Sequence, residues 1–173
     1  MEHAQPHSIR VLEPGEINVL YEFISQLKYA KEIGYFERCF ALQVENRRAL
    51  FGIFVGHELA AYCVYNRAPK YMLFQKLGIP EIQDLNVMTG HRRRGLATAL
   101  IRYCEALAVK EGFKDMGIGV GLSPSYGAAQ RLYAKLGYIP DGNGVTYDRK
   151  IMGFGEMRPN DDNMSLMMMK NLG

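Results

Sequence analysis

The sequence predicts a single mixed α/β domain, and three observations carry that expectation. Short β-rich runs open and close the chain, a strand–helix–strand–helix unit lies between them, and no internal repeat or low-complexity segment interrupts the 173 residues. That length suits one domain over 1–173 with a sizeable buried core.

The elements follow in order. Residues 8–12 make a short strand, and Pro14 and Gly15 then open a helix. In that helix Ile17, Leu20, Tyr21, Ile24 and Leu27 recur at amphipathic spacing. The segment KYAKEIGYF (28–36) breaks the pattern near Gly34, and Phe36, Cys39, Phe40 and Val44 mark a second helix ending near Asn46. Runs 49–55 and 59–65, joined through Gly56 and His57, read as a hairpin. Residues 67–80, with Pro69, Gly78 and Pro80, read as a loop, and 82–88 as a strand. The clearest helix covers 94–111, with Leu96, Leu100, Cys104, Leu107 and Ala108 on one face and Gly112 just past its end. A strand at 116–120 precedes a helix begun by Pro124, carrying Ala129, Leu132, Tyr133 and Leu136, and ended by Gly137. Asp141, Gly142, Asn143 and Gly144 read as a turn, and 145–151 and 164–169 as closing strands around a Gly/Pro/Asp-rich loop. The Met-rich tail reads as adaptable core filler rather than a metal site.

A hydrophobic fraction of 48%, a charged fraction of 23% and a net charge of +3 describe an ordinary globular protein, not a dedicated nucleic-acid binder. Cys39, Cys63 and Cys104 have neither metal-ligand nor redox spacing, which suits reduced thiols in the cytoplasm. Residues 1–10 lack the apolar run of a secretory signal, and Gly56, His57 and Glu58 break the apolar stretch 49–65, a poor membrane span. The expectation is therefore a cytoplasmic protein without membrane or nucleic-acid partners, with a homodimer left open.

The stretch from Glu81 to Tyr138 carries chemistry. A strand, EIQDLNV, leads through MTGH into RRRGLATAL, where the long helix begins. A helix start presents unpaired backbone N–H groups and a partial positive charge. Gly95 and the small Ala97 permit close approach of a bulky anion, and Arg92, Arg93 and Arg94 add a positive field. The pattern is neither a P-loop, lacking Gly-Lys-Ser/Thr, nor the GxGxxG dinucleotide fingerprint. A plain helix start with solvated arginines is the bland alternative, and a nucleic-acid reading of the three arginines lacks aromatic interleaving.

RRRGLA resembles the Q/R-x-x-G-x-G/A signature of the GNAT superfamily of N-acetyltransferases, which binds the CoA pyrophosphate, and AAQRLYAKLGY resembles that superfamily's A-x-x-x-Y-x-x-x-G-F/Y helix. The resemblance is specific over about residues 81–138 and follows the whole chain in element order. It implies a mixed, mostly antiparallel sheet flanked by helices, with splayed central strands forming an acetyl-CoA slot. It implies acetyl-CoA as cosubstrate, no metal, and an amine as acceptor. Backbone groups of Leu85, Asn86 and Val87 would hold the pantetheine arm. The backbone of Arg92, Arg93, Arg94, Gly95, Leu96, Ala97 and Thr98 would hold the pyrophosphate. Tyr133 matches the tyrosine near the thioester sulfur. Tyr126 stands where the family often has an asparagine contacting the cofactor arm, a departure its phenol would have to make good.

An alkyl amine with a pKa of about 10.4 is cationic at neutral pH, so transfer needs a base. Glu81 stands where some members carry a glutamate acting through water, with Asp84 the alternative. In a regular strand Glu81 shares a face with Gln83, Leu85 and Val87 while Asp84 points away, unless a bulge breaks the parity. Val87 N–H would polarise the carbonyl, and Tyr133, with a phenol pKa of about 10 against about 8.5 for a thiol, can protonate the leaving thiolate. No cysteine has a histidine near it in sequence, so direct attack in a ternary complex is expected. His3, His7, His57 and His91 make no metal-ligand pair. Tyr29, Tyr35, Tyr71, Phe74, Glu156, Asp161 and Asp162 are the loop candidates for the acceptor pocket. A different class of function stays open as well, a non-catalytic acetyl-CoA sensor or interaction module.

Overall fold

A computed structural model describes residues 8–27 and 30–173. Tyr29, His3 and His7 therefore lie outside the described residues. The strands are β1 (Ser8–Val11), β2 (Arg48–Val55), β3 (Glu58–Asn66), β4 (Glu81–Val87), β5 (Asp115–Gly121), β6 (Ile139–Tyr147), β7 (Lys150–Ile151) and β8 (Met164–Asn171). The helices are α1 (Ile17–Ser25), α2 (Tyr35–Val44), α3 (Met72–Leu77), α4 (Leu96–Lys110) and α5 (Gly127–Lys135). The strands follow the order β1-β2-β3-β4-β5-β8-β6-β7, with β4 parallel to β5 and antiparallel pairs at β1–β2, β2–β3, β5–β8, β8–β6 and β6–β7. This is the mixed α/β architecture expected of the sequence.

The chain packs as two compact units, Met1–Asn66 with Gln83–Cys104, and Arg67–Ile82 with Glu105–Gly173. In the first, α1 buries Leu20, Phe23 and Ile24 and α2 buries Phe36, Cys39 and Phe40, each at the i, i+3, i+4 spacing of one helix face. They pack with Leu12, Leu50, Leu59, Tyr62, Val64 and Met88. Full burial of such a side chain stabilises by about 1.5–3 kcal/mol. From Leu59 to Asn66 strand β3 is buried on both faces, which is why its sequence runs apolar without alternation. Gly52 lets β2 pass close to its neighbours, since a Cβ there would sit 2.8 Å from Leu12 Cδ2 and 2.9 Å from Leu59 Cδ1.

The second unit departs from the sequence reading in three places. The expected loop 67–80 contains α3, a helix too short for periodicity to reveal. Its buried Phe74 packs with Tyr71, Ile79 and Met167, and left-handed Gly78 (φ 65°) ends it. The expected turn at Asp141 to Gly144 lies inside β6 as a bulge. There β8 advances from Met168 to Leu166 while β6 advances from Pro140 to Val145, with Gly142 and Gly144 at positive φ. The expected strand 145–151 folds back on itself at Asp148 (φ 48°) and Arg149 (φ 64°), the doubly left-handed turn that matches strand twist in a tight hairpin. Within the Met-rich tail Met167 and Met168 are buried, as core filler should be.

Candidate active site

In the first unit β4 gives way after Val87 to a single 3-10 turn, Thr89–His91. Arg92, Arg93, Arg94 and Gly95 then form an exposed bend before α4. Arg93 (φ 61°) and Gly95 (φ 80°) are both left-handed, and this reverses the chain into the helix. The helix starts at Leu96, not at Arg94, so the three arginines precede it rather than lie on its first turn. Ala99 N–H bonds the Gly95 carbonyl at 2.9 Å, and α-helical geometry leaves the N–H groups of Leu96, Ala97 and Thr98 ahead of that bond without partners inside the helix. Leu96 is buried and anchors the turn, and no atom lies within 4 Å of a Cβ built on Gly95. An open space, three exposed guanidinium groups and a helix start suit a bulky polyanion. Arg92 Nε donates to Val87 O at 3.2 Å, tying the bend to the end of β4. His91 Nε2 lies 3.2 Å from Glu58 Oε2.

Two residues after Ile82, Asp84 takes a left-handed backbone conformation (φ 49°), a departure from extended strand geometry. Apart from glycine, a short polar side chain tolerates that region best. The Asp84 side chain is only 7% exposed and fully occupied. Lys31 donates to Oδ1, Asn86 Nδ2 donates to Oδ1 at 2.8 Å, and Tyr62 Oη donates to Oδ2 at 2.7 Å. The Lys31 ammonium sits 4.9 Å from the centroid of the Tyr35 ring. Burial, with the Asp84 charge beside it, pushes the Tyr35 phenol well above its ordinary range. Lys31 and Tyr62 as partners of Asp84 escape sequence reasoning because the first lies 53 residues away and the second in an apolar strand run.

In the second unit Glu81, the first residue of β4, pairs with Gly117 and is wholly buried. Arg149 Nη1 lies 2.6 Å from Glu81 Oε1 and 3.1 Å from Met167 Sδ. Its guanidinium passes over Gly119, where a Cβ would fall 2.5 Å from Nη1. A buried carboxylate left alone costs several kcal/mol, and the Arg149 guanidinium supplies the opposite charge beside Glu81. Tyr126 closes the 3-10 turn Pro124–Tyr126. Its ring lies against Gly121 and its hydroxyl donates to Asp162 Oδ1 at 2.8 Å. Tyr133 is buried within α5, its ring centroid 6.3 Å from that of Tyr138. Tyr138 N–H bonds the Tyr133 carbonyl at 3.0 Å around left-handed Gly137 (φ 93°), a C-terminal cap that fixes the end of the motif. Of the loop candidates for an acceptor pocket, Tyr71 and Phe74 are core residues, their rings edge to face at 4.9 Å. Asp161 accepts from Tyr147, and Glu156 pairs with Arg158.

All three cysteines are buried. Burial pushes the Cys39 thiol up, and the contact with Cys104 together with burial does the same to Cys63. Among the described residues no group of three or more His, Cys, Asp or Glu is arranged to hold a metal ion, and no helix is long and apolar enough to cross a membrane.

Residues 17–138 match the acetyltransferase (GNAT) family, and the chain belongs to that family. Its members use acetyl-CoA as the acetyl donor. No curated protein sequence matches this chain. Solved structures share its fold at low identity. An N-acetyltransferase from Staphylococcus aureus Mu50 superposes with a TM-score of 0.71 at 14% identity, over 98% of this chain and 100% of that one. A ribosomal-protein alanine N-acetyltransferase from Escherichia coli gives 0.68 at 17% identity, over 96% and 94%. A GNAT-family acetyltransferase from Elizabethkingia anophelis with acetyl-CoA bound gives 0.64 at 15%, over 95% and 97%.

Proposed function

We propose that this chain is an N-acetyltransferase that passes the acetyl group of acetyl-CoA to a primary amine, on a small molecule or on a peptide or protein, by direct attack in a ternary complex. The observation that carries the reading is the bend from Arg92 to Gly95 with the α4 start behind it, three guanidinium groups beside an open left-handed glycine. The backbone of Arg92, Arg93, Arg94, Gly95, Leu96, Ala97 and Thr98 would receive the pyrophosphate. Backbone groups of Leu85, Asn86 and Val87 would take the pantetheine arm, with Val87 N–H donating to the thioester carbonyl. Tyr126 would serve the arm through its phenol once released from Asp162.

The transfer forms an N–C bond and breaks a C–S bond. The acceptor, arriving as an ammonium, loses two protons over the reaction: the departing sulfur gains one, and the other leaves through the base to solvent. Tyr133 is the proposed acid for the thiolate. Glu81 can act as base only if Arg149 withdraws from it. Asp84 is the carboxylate at which an ammonium already sits, so we place the base there and give Glu81 to the reaction only through such a rearrangement. The buried, raised thiols of Cys39 and Cys63 favour direct attack over an acyl-cysteine. The test is thiol release from acetyl-CoA across a panel of primary amines, with the product amides read by mass spectrometry. Amine-dependent release with a matching acetylated amine supports transfer. Tight acetyl-CoA binding with no release on any amine would favour the sensor reading instead.

A further inference from the structure

We propose that Asp84, Tyr62 and Tyr35 form a binding site for a primary alkylammonium ion, that Lys31 occupies it when no acceptor is present, and that the acceptor's ammonium takes Lys31's place. The substrate-facing part of this inference rests on the acetyltransferase reading above.

The partners of Asp84 fall into two kinds. Tyr62 on β3 and Asn86 on β4 belong to the sheet and hold the carboxylate in position. Tyr62 is itself wholly buried. Lys31 comes from the connection between α1 and α2 on a long unbranched side chain that remains 18% exposed. The hydroxyl and amide donors therefore stay when Lys31 leaves, but the charge does not. A carboxylate only 7% exposed cannot lose its cation without a large cost, so any departure of Lys31 must be matched by the arrival of another cation.

The shape of the vacancy defines that cation. One face is the Asp84 carboxylate and another is the Tyr35 ring, whose π face attracts a cation within about 6 Å. The position holds an ammonium on a four-carbon stem. A primary alkylammonium reproduces its charge, its donors and its stem. An alcohol of equal length supplies none of the charge and would leave Asp84 uncompensated. The cage thus selects amines that arrive protonated, and Lys31 acts as an internal competitor that sets a threshold on acceptor affinity. An occupant present about nine-tenths of the time lowers apparent affinity about tenfold.

The test is calorimetric titration with n-butylammonium chloride at constant ionic strength, without acetyl-CoA, with 1-butanol as the uncharged probe. The ammonium should bind the wild-type chain weakly and Lys31→Met at least about tenfold more tightly. It should not bind Lys31→Met/Asp84→Asn, and 1-butanol should bind none of them. Equal affinity for wild type and Lys31→Met, no binding to folded Lys31→Met, or binding that survives loss of Asp84 overturns the proposal. Should Lys31→Met fail to fold, the wild-type chain decides. With lysine labelled at 13Cε, n-butylammonium should move the Lys31 resonance to the position of an exposed lysine, and a resonance that stays fixed through saturation of the protein overturns it. Ammonium binding without any acetyl transfer would sink the enzymatic reading alone. Acetyl transfer with an unmoved Lys31 would sink this inference alone.

Discussion

Gly117→Ala adds a single methyl group, and its cost can be worked from the packing. Gly117 sits in the middle of β5, paired on one side with Glu81 and on the other with Met169. A Cβ built there falls 2.6 Å from Phe74 Cζ and 2.7 Å from Cδ2, distances real Cβ atoms do not tolerate. Phe74 has little room to yield, being wholly buried and held edge to face on Tyr71. Overpacking of this kind costs about 1–3 kcal/mol. Alanine returns about 0.4–1 kcal/mol by restricting the unfolded chain. With a clash this close the upper half of the first range applies, so the net expectation is a loss of about 1–2.6 kcal/mol, or about 2–10 °C in Tm for a chain of this size. Urea denaturation of the variant and of Gly117→Ala/Phe74→Leu measures it. The double variant should be less destabilised than the sum of the singles, because a smaller residue removes the clash. A Gly117→Ala chain as stable as wild type, or strict additivity, would refute the packing of α3 on β5.

Tyr133→Phe should leave acetyl-CoA affinity nearly unchanged and lower kcat by about 100- to 10,000-fold, with a smaller loss for acyl donors whose leaving thiol is more acidic. Full kcat with chemistry shown to be rate-limiting would reduce the phenol to a packing group. Arg10 reaches Glu16 at 2.6 and 2.9 Å, and this pairing, helped by the Glu13 N–H, holds the Glu16 carboxyl below its ordinary value. Its stability contribution is therefore complete above the unfolded carboxylate pKa and fades as pH falls through the lower folded one. Glu16→Gln should cost no more than about 1 kcal/mol at pH 7 and nothing once Glu16 is protonated in both states. A difference that persists into strong acid would show that the ion pair is not its source.

The sequence was most legible where local chemistry decides structure. The α4 and α5 blocks, the β2–β3 hairpin and the glycines at 112 and 137 stand where their periodicity and turn chemistry put them, because apolar spacing and a left-handed glycine act within a few residues, whereas Gly95, read inside the helix, turns the chain just before it. The misses share a different cause. Helix α3 exists because Phe74 finds Tyr71, Ile79 and Met167, and a six-residue helix has no period to read. The segment from Asp141 to Gly144 has turn composition but β8 beside it, so pairing overrides propensity and leaves a bulge. At the site, regular strand parity separates Glu81 from Asp84, but the left-handed backbone of Asp84 is something a parity count does not anticipate. The fates of the two carboxylates, one with Arg149 and one with Lys31, depend on partners 68 and 53 residues away, beyond any local pattern.

If the bend before α4 receives the pyrophosphate of acetyl-CoA, isothermal titration of acetyl-CoA will separate wild type, Gly95→Asn and Gly95→Asp. Asparagine and aspartate place nearly the same bulk on the same left-handed backbone, so the pair separates charge from strain. Wild type should bind one acetyl-CoA per chain. Gly95→Asp, folded by circular dichroism, should bind at least about tenfold more weakly than Gly95→Asn, because its carboxylate faces the phosphates. Equal affinity of the folded aspartate and asparagine variants, with wild-type binding intact, would take the pyrophosphate away from this bend.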